Sequence, residues 1–283
     1  MYWLFLSVLL YAINNILWKI FVKDENPLRI ISRRAIFTTS IAIAALIFTH
    51  VDVMTCVHNP KMFYVIFASF FGTAGLVLMV TFLKDGSLVR MGYYSLLGSL
   101  IAAGYTYLFR ETPISQKMFI GTILILLGYL IFLVNEKRSV KTEPALLSQH
   151  LILGGMTLCF SISLLIQWES LKIFPPLAII GTQECTVLVV TLIASTFLKS
   201  RKILSSTRFK TYGKTGLMAV VIFAGIFVGT IGLKQVNPFI ASITGISVPV
   251  ITVFAASVVF RDKLKPLHLI SLLFMIIGGL ALI

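Results

Sequence analysis

The sequence predicts an all-α, polytopic membrane protein with ten transmembrane helices arranged as two inverted five-helix repeats. The prediction rests on apolar stretches of about twenty residues, on turn-forming residues between them, and on a resemblance between the two halves of the chain. A hydrocarbon core about 30 Å thick needs roughly 20 helical residues to cross it. Little polar sequence remains outside these stretches, so the function must concern something that crosses the membrane or reacts within it.

Breaker pairs such as Asn26-Pro27 and Pro175-Pro176 separate the apolar stretches. The first stretch lacks a basic leader and a small-x-small cleavage site, so we interpret it as a helix and not as a cleaved signal. The predicted helices span residues 2–22, 28–49, 61–83, 87–109, 114–134, 149–171, 176–198, 214–234, 238–260 and 265–283.

Composition excludes an ordinary soluble domain, since 58% of the 283 residues are hydrophobic and only 12% are charged. The net charge of +14 comes from Lys and Arg at helix ends, so we expect no nucleic-acid partner. These residues concentrate in the odd-numbered gaps, which predicts cytoplasmic odd gaps and outside termini. The three cysteines and four histidines are scattered, which predicts no metal site, and no catalytic or nucleotide-binding motif indicates an enzyme or a cofactor.

The two halves share an order of aromatic, acidic and breaker residues at an interval of about 150 residues. Phe109-Arg110-Glu111 aligns with Phe260-Arg261-Asp262, and Trp18 aligns with Trp168. We therefore divide the chain into a first repeat at 1–134, a linker at 135–148 and a second repeat at 149–283. Because five is odd, the second repeat enters the membrane inverted, and such repeats share a cavity near the midplane.

The motifs of the last helices resemble those of the EamA-type family of the drug/metabolite transporter superfamily. A proline-valine pair, an acidic residue and late glycines follow one another as Pro249-Val250, Asp262 and Gly278-Gly279. The first half repeats this order as Gly98, Glu111 and Gly128, and Arg33-Arg34 resembles the arginine early in the family's second helix. The resemblance covers essentially the whole chain and implies ten helices in two inverted repeats.

An ionisable side chain in hydrocarbon costs at least a few kcal/mol, so each one is a candidate functional group. Glu184 lies eight residues after Pro176, roughly 12 Å along a helix and close to the midplane, and Gln183 precedes it. Its carboxylate would bind a cationic group of a solute or carry a coupling proton; a structural pairing with a neighbouring helix is the alternative.

Arg33 and Arg34 lie at a related depth in the first repeat. Adjacent helical residues point about 100° apart, so at most one of them faces a cavity squarely, and it would attract a carboxylate or phosphate. Anchoring at the helix end is the alternative. Opposite charges at related depths fit an amphoteric solute such as an amino acid, and they equally fit salt-bridged gates between the halves.

The remaining candidate substrate-binding residues are Asn14, Tyr94, Trp168 and Ser247. An amide at Asn14 needs a partner inside the bundle, either another helix or a solute. Tyr94 lies in an aromatic and glycine-rich helix that suits a cavity or plain packing. Trp18 and Trp168 fit an interfacial belt or a cavity wall, and Ser247 either bonds the backbone freed by Pro249 or contacts substrate.

These features predict a secondary transporter of small organic solutes by alternating access, without ATP, in a bacterial inner membrane. Its partners would be a small-molecule solute and membrane lipid, with a homo-oligomer as a further possibility from the GxxxG at Gly225 and Gly229. A flippase for lipid-linked carriers and a non-transporting membrane protein are the alternatives. A lateral opening toward lipid would favour the flippase.

Overall fold

The computed structural model describes residues 2–23, 25–109, 116–139, 145–197, 209–235 and 266–281, and a few positions between 241 and 259. Every regular element within these residues is a helix. The helices are α1 (Tyr2–Val22), α2 (Pro27–Phe48), α3 (Val53–His58), α4 (Met62–Asp85), α5 (Leu88–Phe109), α6 (Gln116–Ser139), α7 (Ala145–Ser170), α8 (Pro176–Phe197), α9 (Phe209–Lys234) and α10 (Pro266–Ala281).

Each predicted helix except that at 238–260 has a counterpart whose ends agree within about five residues. The predicted helix at 238–260 lies largely outside the described residues. Six helices, namely α1, α2, α4, α7, α8 and α9, contain stretches long and apolar enough to cross a membrane, and α6 and α10 contain shorter apolar stretches. The chain is thus an all-helical, multi-pass membrane protein.

The short helix α3 is absent from the prediction. Asp52 caps its amino end, where its carboxylate accepts hydrogen bonds from the hydroxyl of Thr55 and, at 3.1 Å, from the amide of Thr55. These bonds favour the charged form, and the bond from the Thr55 hydroxyl is the main cause of the lowered pKa of Asp52. A six-residue helix is too short to give a periodic signal, so sequence patterning missed it.

The predicted repeat makes α1 the counterpart of α7, α2 of α8, α4 of α9 and α6 of α10. The main helix pairs follow this correspondence. Two pairs join counterparts directly, because α6 packs on α10 and α2 packs on α8. The other two pairs correspond to each other, because α4 packs on α7 and its counterpart α9 packs on α1. The α6–α10 contacts are reciprocal, because Gly128 meets Ser271 and Gly278 meets Gly121. As the numbers rise along α6 they fall along α10, so these two helices run antiparallel.

The two ends of the bundle, face A and face B, are defined by the helix ends that they carry. Face A carries Tyr2, Met62, Ser170 and Lys234, and face B carries Val22, Asp85, Ala145 and Pro266. Near face A, Gly232 packs on Leu4, and near face B the Lys19 ammonium reaches the carboxyl end of α4. Chain direction and side-chain contacts therefore agree on which helix ends lie together.

Glycines on α4 and α9 let two pairs of helices approach closely. A Cβ at Gly225 or Gly229 would lie 3.3 Å from side-chain atoms of α1, and a Cβ at Gly75 would lie 2.9 Å from the Phe160 ring of α7. Small residues permit this close packing in membranes. The GxxxG of α9 thus packs within the chain.

Two hydrophobic cores lie toward opposite faces. The larger core includes Trp18, Val22, Leu83 and Leu88, and a smaller core near face A includes Phe174. Trp18 is 0% exposed, so the interpretation of this residue as part of an interfacial belt is wrong. Among the described residues, the face B end of the bundle is thus the more extensively packed of the two.

Candidate functional site

An ion pair between α2 and α8 lies at the centre of the bundle. Arg34 Nη2 donates to Glu184 Oε2 at 2.5 Å, and the Thr38 hydroxyl donates to the same oxygen at 2.5 Å. Arg34 is 3% exposed and Glu184 is 1% exposed. Removing a charge from water costs several kcal/mol unless it is paired, so each group offsets part of the cost of burying the other.

The pair has unused hydrogen-bonding capacity. Glu184 Oε1 and Arg34 Nε have no hydrogen-bond partner among the described residues. Tyr11 on α1 lies close enough to Glu184 for an electrostatic interaction, although α1 belongs to the other half of the chain. The centre therefore contains a neutralised charge pair with a spare acceptor and a spare donor.

Arg34 and Glu184 are separated by 150 residues, which is the interval of the predicted repeat. They therefore occupy nearly corresponding places on α2 and α8, the counterpart helices of the two predicted repeats. The ion pair thus joins the first half of the chain to the second.

Arg33 points away from this pair. Its Nη1 donates to Glu25 Oε2 at 2.8 Å, and its guanidinium lies 5.8 Å from the centroid of the Tyr212 ring on α9. Arg33 is 1% exposed although its partner Glu25 lies in the α1–α2 connection at face B. The two adjacent arginines thus diverge, as the 100° rotation per helical residue requires.

A cavity of about 210 Å³ lies between the halves on the face A side of the bundle. Its lining combines hydroxyl and amide side chains with aliphatic ones. The polar members are Ser7, Tyr11, Gln167, Gln183 and Thr230, and the described lining includes no charged side chain.

The two glutamines of the cavity are connected, because Gln167 Nε2 donates to Gln183 Oε1 at 3.0 Å. Gln167 also lies near the Ser163 hydroxyl on the same helix, at 3.4 Å. The cavity wall formed by α7 and α8 therefore carries oriented amides, and the α1 and α9 walls carry the hydroxyls of Tyr11 and Thr230.

Asn14 is 8% exposed on α1, and its Oδ1 has no hydrogen-bond partner among the described residues. It lies one helical turn after Tyr11 and therefore on nearly the same side of the helix. Its neighbour Asn15 donates to the Thr252 hydroxyl at 3.2 Å. The Asn15 amide thus joins α1 to the segment that follows α9, and Asn14 Oδ1 is an acceptor in the bundle interior that a solute could use.

The other candidates lie elsewhere. Tyr94 hydrogen-bonds His150 near face B and contacts the Tyr129 ring edge to face. Trp168, half-buried near the end of α7, has the Lys172 ammonium 3.8 Å from its ring centroid. Ser247 lies outside the described residues. The structure therefore brings Gln183 to the cavity, puts Glu184 and Arg34 at the centre, and separates Tyr94 and Trp168 from both.

Sequence reasoning did not single out Thr38, Tyr11 or Thr230. Thr38 follows Arg34 by four residues and so shares its helix face, a relation that the sequence does contain. Tyr11 and Thr230 look like ordinary residues of apolar helices, and no local signal distinguishes them. Across the parts of the chain that the structure describes, no three His, Cys, Asp or Glu side chains lie close enough to hold a metal ion.

Comparison with known proteins decides the family. The sequence profile of the EamA-like transporter family matches residues 1–134 and, a second time, residues 148–283. The chain belongs to the EamA-like transporter family. The resemblance seen in the motifs around Pro249 and Gly278 is thereby confirmed, and with it the two-repeat architecture of an EamA-like membrane transporter.

No curated protein matches the sequence of this EamA-like transporter. A solved chain described as "Crystal structure of protein" has a TM-score of 0.70 and 14% identity over 99% of this chain and 94% of its own length. At this identity the likeness supports the fold alone. The solute must therefore be inferred from the cavity of this EamA-like transporter itself.

Proposed function

We propose that this EamA-like transporter carries small organic solutes, such as amino acids, other metabolites or drugs, by alternating access and without ATP. The observation that carries the proposal is the cavity between the halves, lined by Gln167 and Gln183 and located beside the central ion pair. Concave, mostly apolar sites with a few oriented polar groups are typical of small-molecule binding. We place the protein in a bacterial inner membrane, with solute and lipid as its partners.

The proposal includes two inverted five-helix repeats at 1–134 and 149–283, joined by a linker at 135–148. Antiparallel packing of the corresponding helices α6 and α10 supports inversion, because counterparts in repeats of the same orientation would run parallel. The pair Arg34–Glu184, which joins nearly corresponding places on α2 and α8, supports an axis close to the bundle centre. Inverted repeats permit one half to rock against the other around a fixed central site.

The cavity lining favours a solute without net charge. None of the described lining residues is charged, and the sequence from Val236 to Phe260 contains no Asp, Glu, Lys or Arg. Arg34 and Glu184 bind each other, which supports an ion pair between the halves over two separate charges that bind an amphoteric solute. A solute with a net charge would lose its hydration without gaining a counter-charge.

A thermal-shift screen of purified protein tests this proposal, followed by counterflow of the hits in proteoliposomes. The library contains neutral, zwitterionic, cationic and anionic metabolites of similar size. Stabilisation and counterflow by net-neutral solutes are expected. Hits confined to cations or anions would contradict the inferred class, and absence of counterflow for every stabilising solute would contradict transport.

Gln183→Leu is expected to weaken the apparent affinity for a transported solute by roughly tenfold. The change removes one hydrogen-bonding group from the cavity wall, and the loss of its bond to the solute costs about 1–3 kcal/mol. The half-saturation concentration in counterflow measures the effect. Gln116→Leu, the same change at an exposed position of α6, is the control and should leave that concentration unaltered. Equal effects of both changes would remove Gln183 from the site.

A groove of about 510 Å³ between α2, α3, α4 and α8 favours the flippase as a second candidate function. Its lining is almost wholly apolar and includes Leu46, Phe70 and Val189, so an acyl or isoprenoid chain would fit it. Lipid-linked carriers should then compete with the soluble solute in the counterflow assay. Solute counterflow that is insensitive to such carriers would leave the groove as ordinary lipid-facing surface.

A further inference from the structure

One helix contact breaks the correspondence between the two halves. Near face B, α1 packs against α4. The corresponding helices are α7 and α9, and within the described residues they form no comparable interface. The cavity occupies the space between them, lined by Leu164 and Gln167 of α7 and by Ile226 and Thr230 of α9. Within the described residues, α1 and α4 are therefore in contact near face B, whereas the cavity separates their counterparts α7 and α9 toward face A.

A lysine holds the closed contact. Lys19 Nζ donates to the carbonyl oxygen of Leu83 at 2.9 Å and to that of Gly86, at the carboxyl end of α4. The last carbonyls of a helix have no partner within the helix, and they carry partial negative charge. The Lys19 ammonium group donates hydrogen bonds to these carbonyl oxygens, and its positive charge is attracted to their partial negative charge. Trp18, which precedes Lys19, and Leu83 are both 0% exposed, so the contact is packed as well as bonded.

The counterpart of Lys19 is Glu169, since each follows the tryptophan of its repeat. A carboxylate accepts hydrogen bonds but cannot donate them to carbonyl oxygens. Glu169 instead accepts from the Tyr105 hydroxyl at 3.2 Å and pairs with Lys172 at 2.7 Å. The helix that Glu169 would meet on closure, α9, ends at the exposed Lys234. The carboxyl end of α9 thus carries a cation that could bind Glu169, whereas the carboxyl end of α4 carries the carbonyl oxygens that bind Lys19.

We propose that Lys19 closes the face B gate in this conformation and that Glu169 closes a corresponding face A gate by pairing with Lys234. The inference rests on the proposed alternating access and names its gating residues. When α7 moves onto α9, Glu169 exchanges Lys172 for Lys234 and the cavity becomes inaccessible from face A. When α1 leaves α4, Lys19 exchanges the two carbonyls for water, and the cavity opens toward face B.

Two thiol reporters test the face B gate without any solute. In a protein carrying Cys56→Ala, Cys159→Ala and Cys185→Ala, Thr230→Cys reports access to the cavity. Val80→Cys reports opening near the α1–α4 contact, because Val80 is fully buried one turn before Leu83. Labelling rates with a water-soluble maleimide measure both. Lys19→Met should raise the rate at the Val80→Cys thiol by about tenfold, the ratio that a hydrogen bond to a charged group contributes.

Lys23→Met is the matched control, because Lys23 is an exposed lysine at the same end of α1. Lys19→Arg keeps the donors and should keep the Val80→Cys thiol protected. In Lys19→Met, the rate at the Thr230→Cys thiol should fall as the other rises. Equal Val80→Cys rates in Lys19→Met and Lys23→Met would overturn the role of Lys19. Faster labelling of both thiols would mean general loosening and would overturn it as well.

Charge exchange tests the face A gate in the Lys19→Met background. Glu169→Lys and Lys234→Glu should each restore fast labelling of the Thr230→Cys thiol by placing like charges together. The combined change should slow it again by rebuilding the pair. Additive effects of the two changes would overturn the pairing. If no variant changes the labelling rates of the two thiols in opposite directions, the proposed alternating access is wrong. If the two rates do change in opposite directions but do not depend on Lys19, Glu169 or Lys234, only the assignment of the gating residues is wrong.

Discussion

Arg34→Met is expected to lower the free energy of unfolding by about 3–5 kcal/mol, because it breaks a buried ion pair by removing one partner. The change leaves the carboxylate of Glu184 in the bundle centre with the Thr38 hydroxyl but without its counter-charge. Glu184→Leu should cost a similar amount, because it leaves the arginine unpaired. Reversible unfolding of the purified protein in mixed micelles of detergent and SDS measures both variants.

The combined variant Arg34→Met/Glu184→Leu separates stability from transport. It buries neither charge, so most of the lost free energy should return, as found when buried ion pairs are replaced by apolar residues. Counterflow by this stable variant should remain below about a tenth of the original rate if the pair is part of the transport cycle. Full counterflow would reduce the pair to a structural role, and additive destabilisation would contradict the direct contact.

Gly278→Ala is expected to destabilise the protein by about 1–3 kcal/mol through overpacking. An added Cβ would lie 2.6 Å from the carbonyl oxygen of Gly121 and 2.9 Å from the amide nitrogen of Ile125, and backbone atoms cannot move aside as a side chain can. Gly128→Ala should behave alike, because its Cβ would lie 2.7 Å from the carbonyl oxygen of Ser271. The same unfolding assay applies.

Gly154→Ala is the matched control for both variants. A Cβ at Gly154 meets no atom within 4 Å, so the change should be neutral or stabilise the helix by up to about 1 kcal/mol. Loss of stability at Gly154 similar to that at Gly278 would mean that helix propensity, and not the α6–α10 approach, determines the result.

Helix positions were predictable because bilayer thickness sets their length and breakers mark their ends. The sequence did not predict which face of each helix is buried. In a soluble protein the polar face identifies the opposite face as buried, whereas lipid is as apolar as a protein core. On α4, Phe63 and Phe70 face outward while Phe82 is buried, and nothing in their residue type distinguishes them.

In the candidate site, too, some features could be predicted from the sequence and others could not. Glu184 and Arg34 stood out because charges are rare in hydrocarbon, and their interval is close to that of the predicted repeat. Their contact depends on how α2 crosses α8, which only the packing of the bundle determines. Tyr94 has the residue type of a cavity wall, yet it bonds His150 near face B, because α5 packs against the start of α7.

The charges of Arg34 and Glu184 also show that the two halves are no longer interchangeable. If two identical five-helix chains had assembled around a twofold axis, the residues meeting on that axis would have been identical, arginine against arginine or glutamate against glutamate. Buried like charges repel and would have opposed assembly. An attractive pair between the counterpart helices α2 and α8 therefore depends on a difference between the two halves, both of which match the same family profile. Arg34 in one half and Glu184 in the other are such a difference.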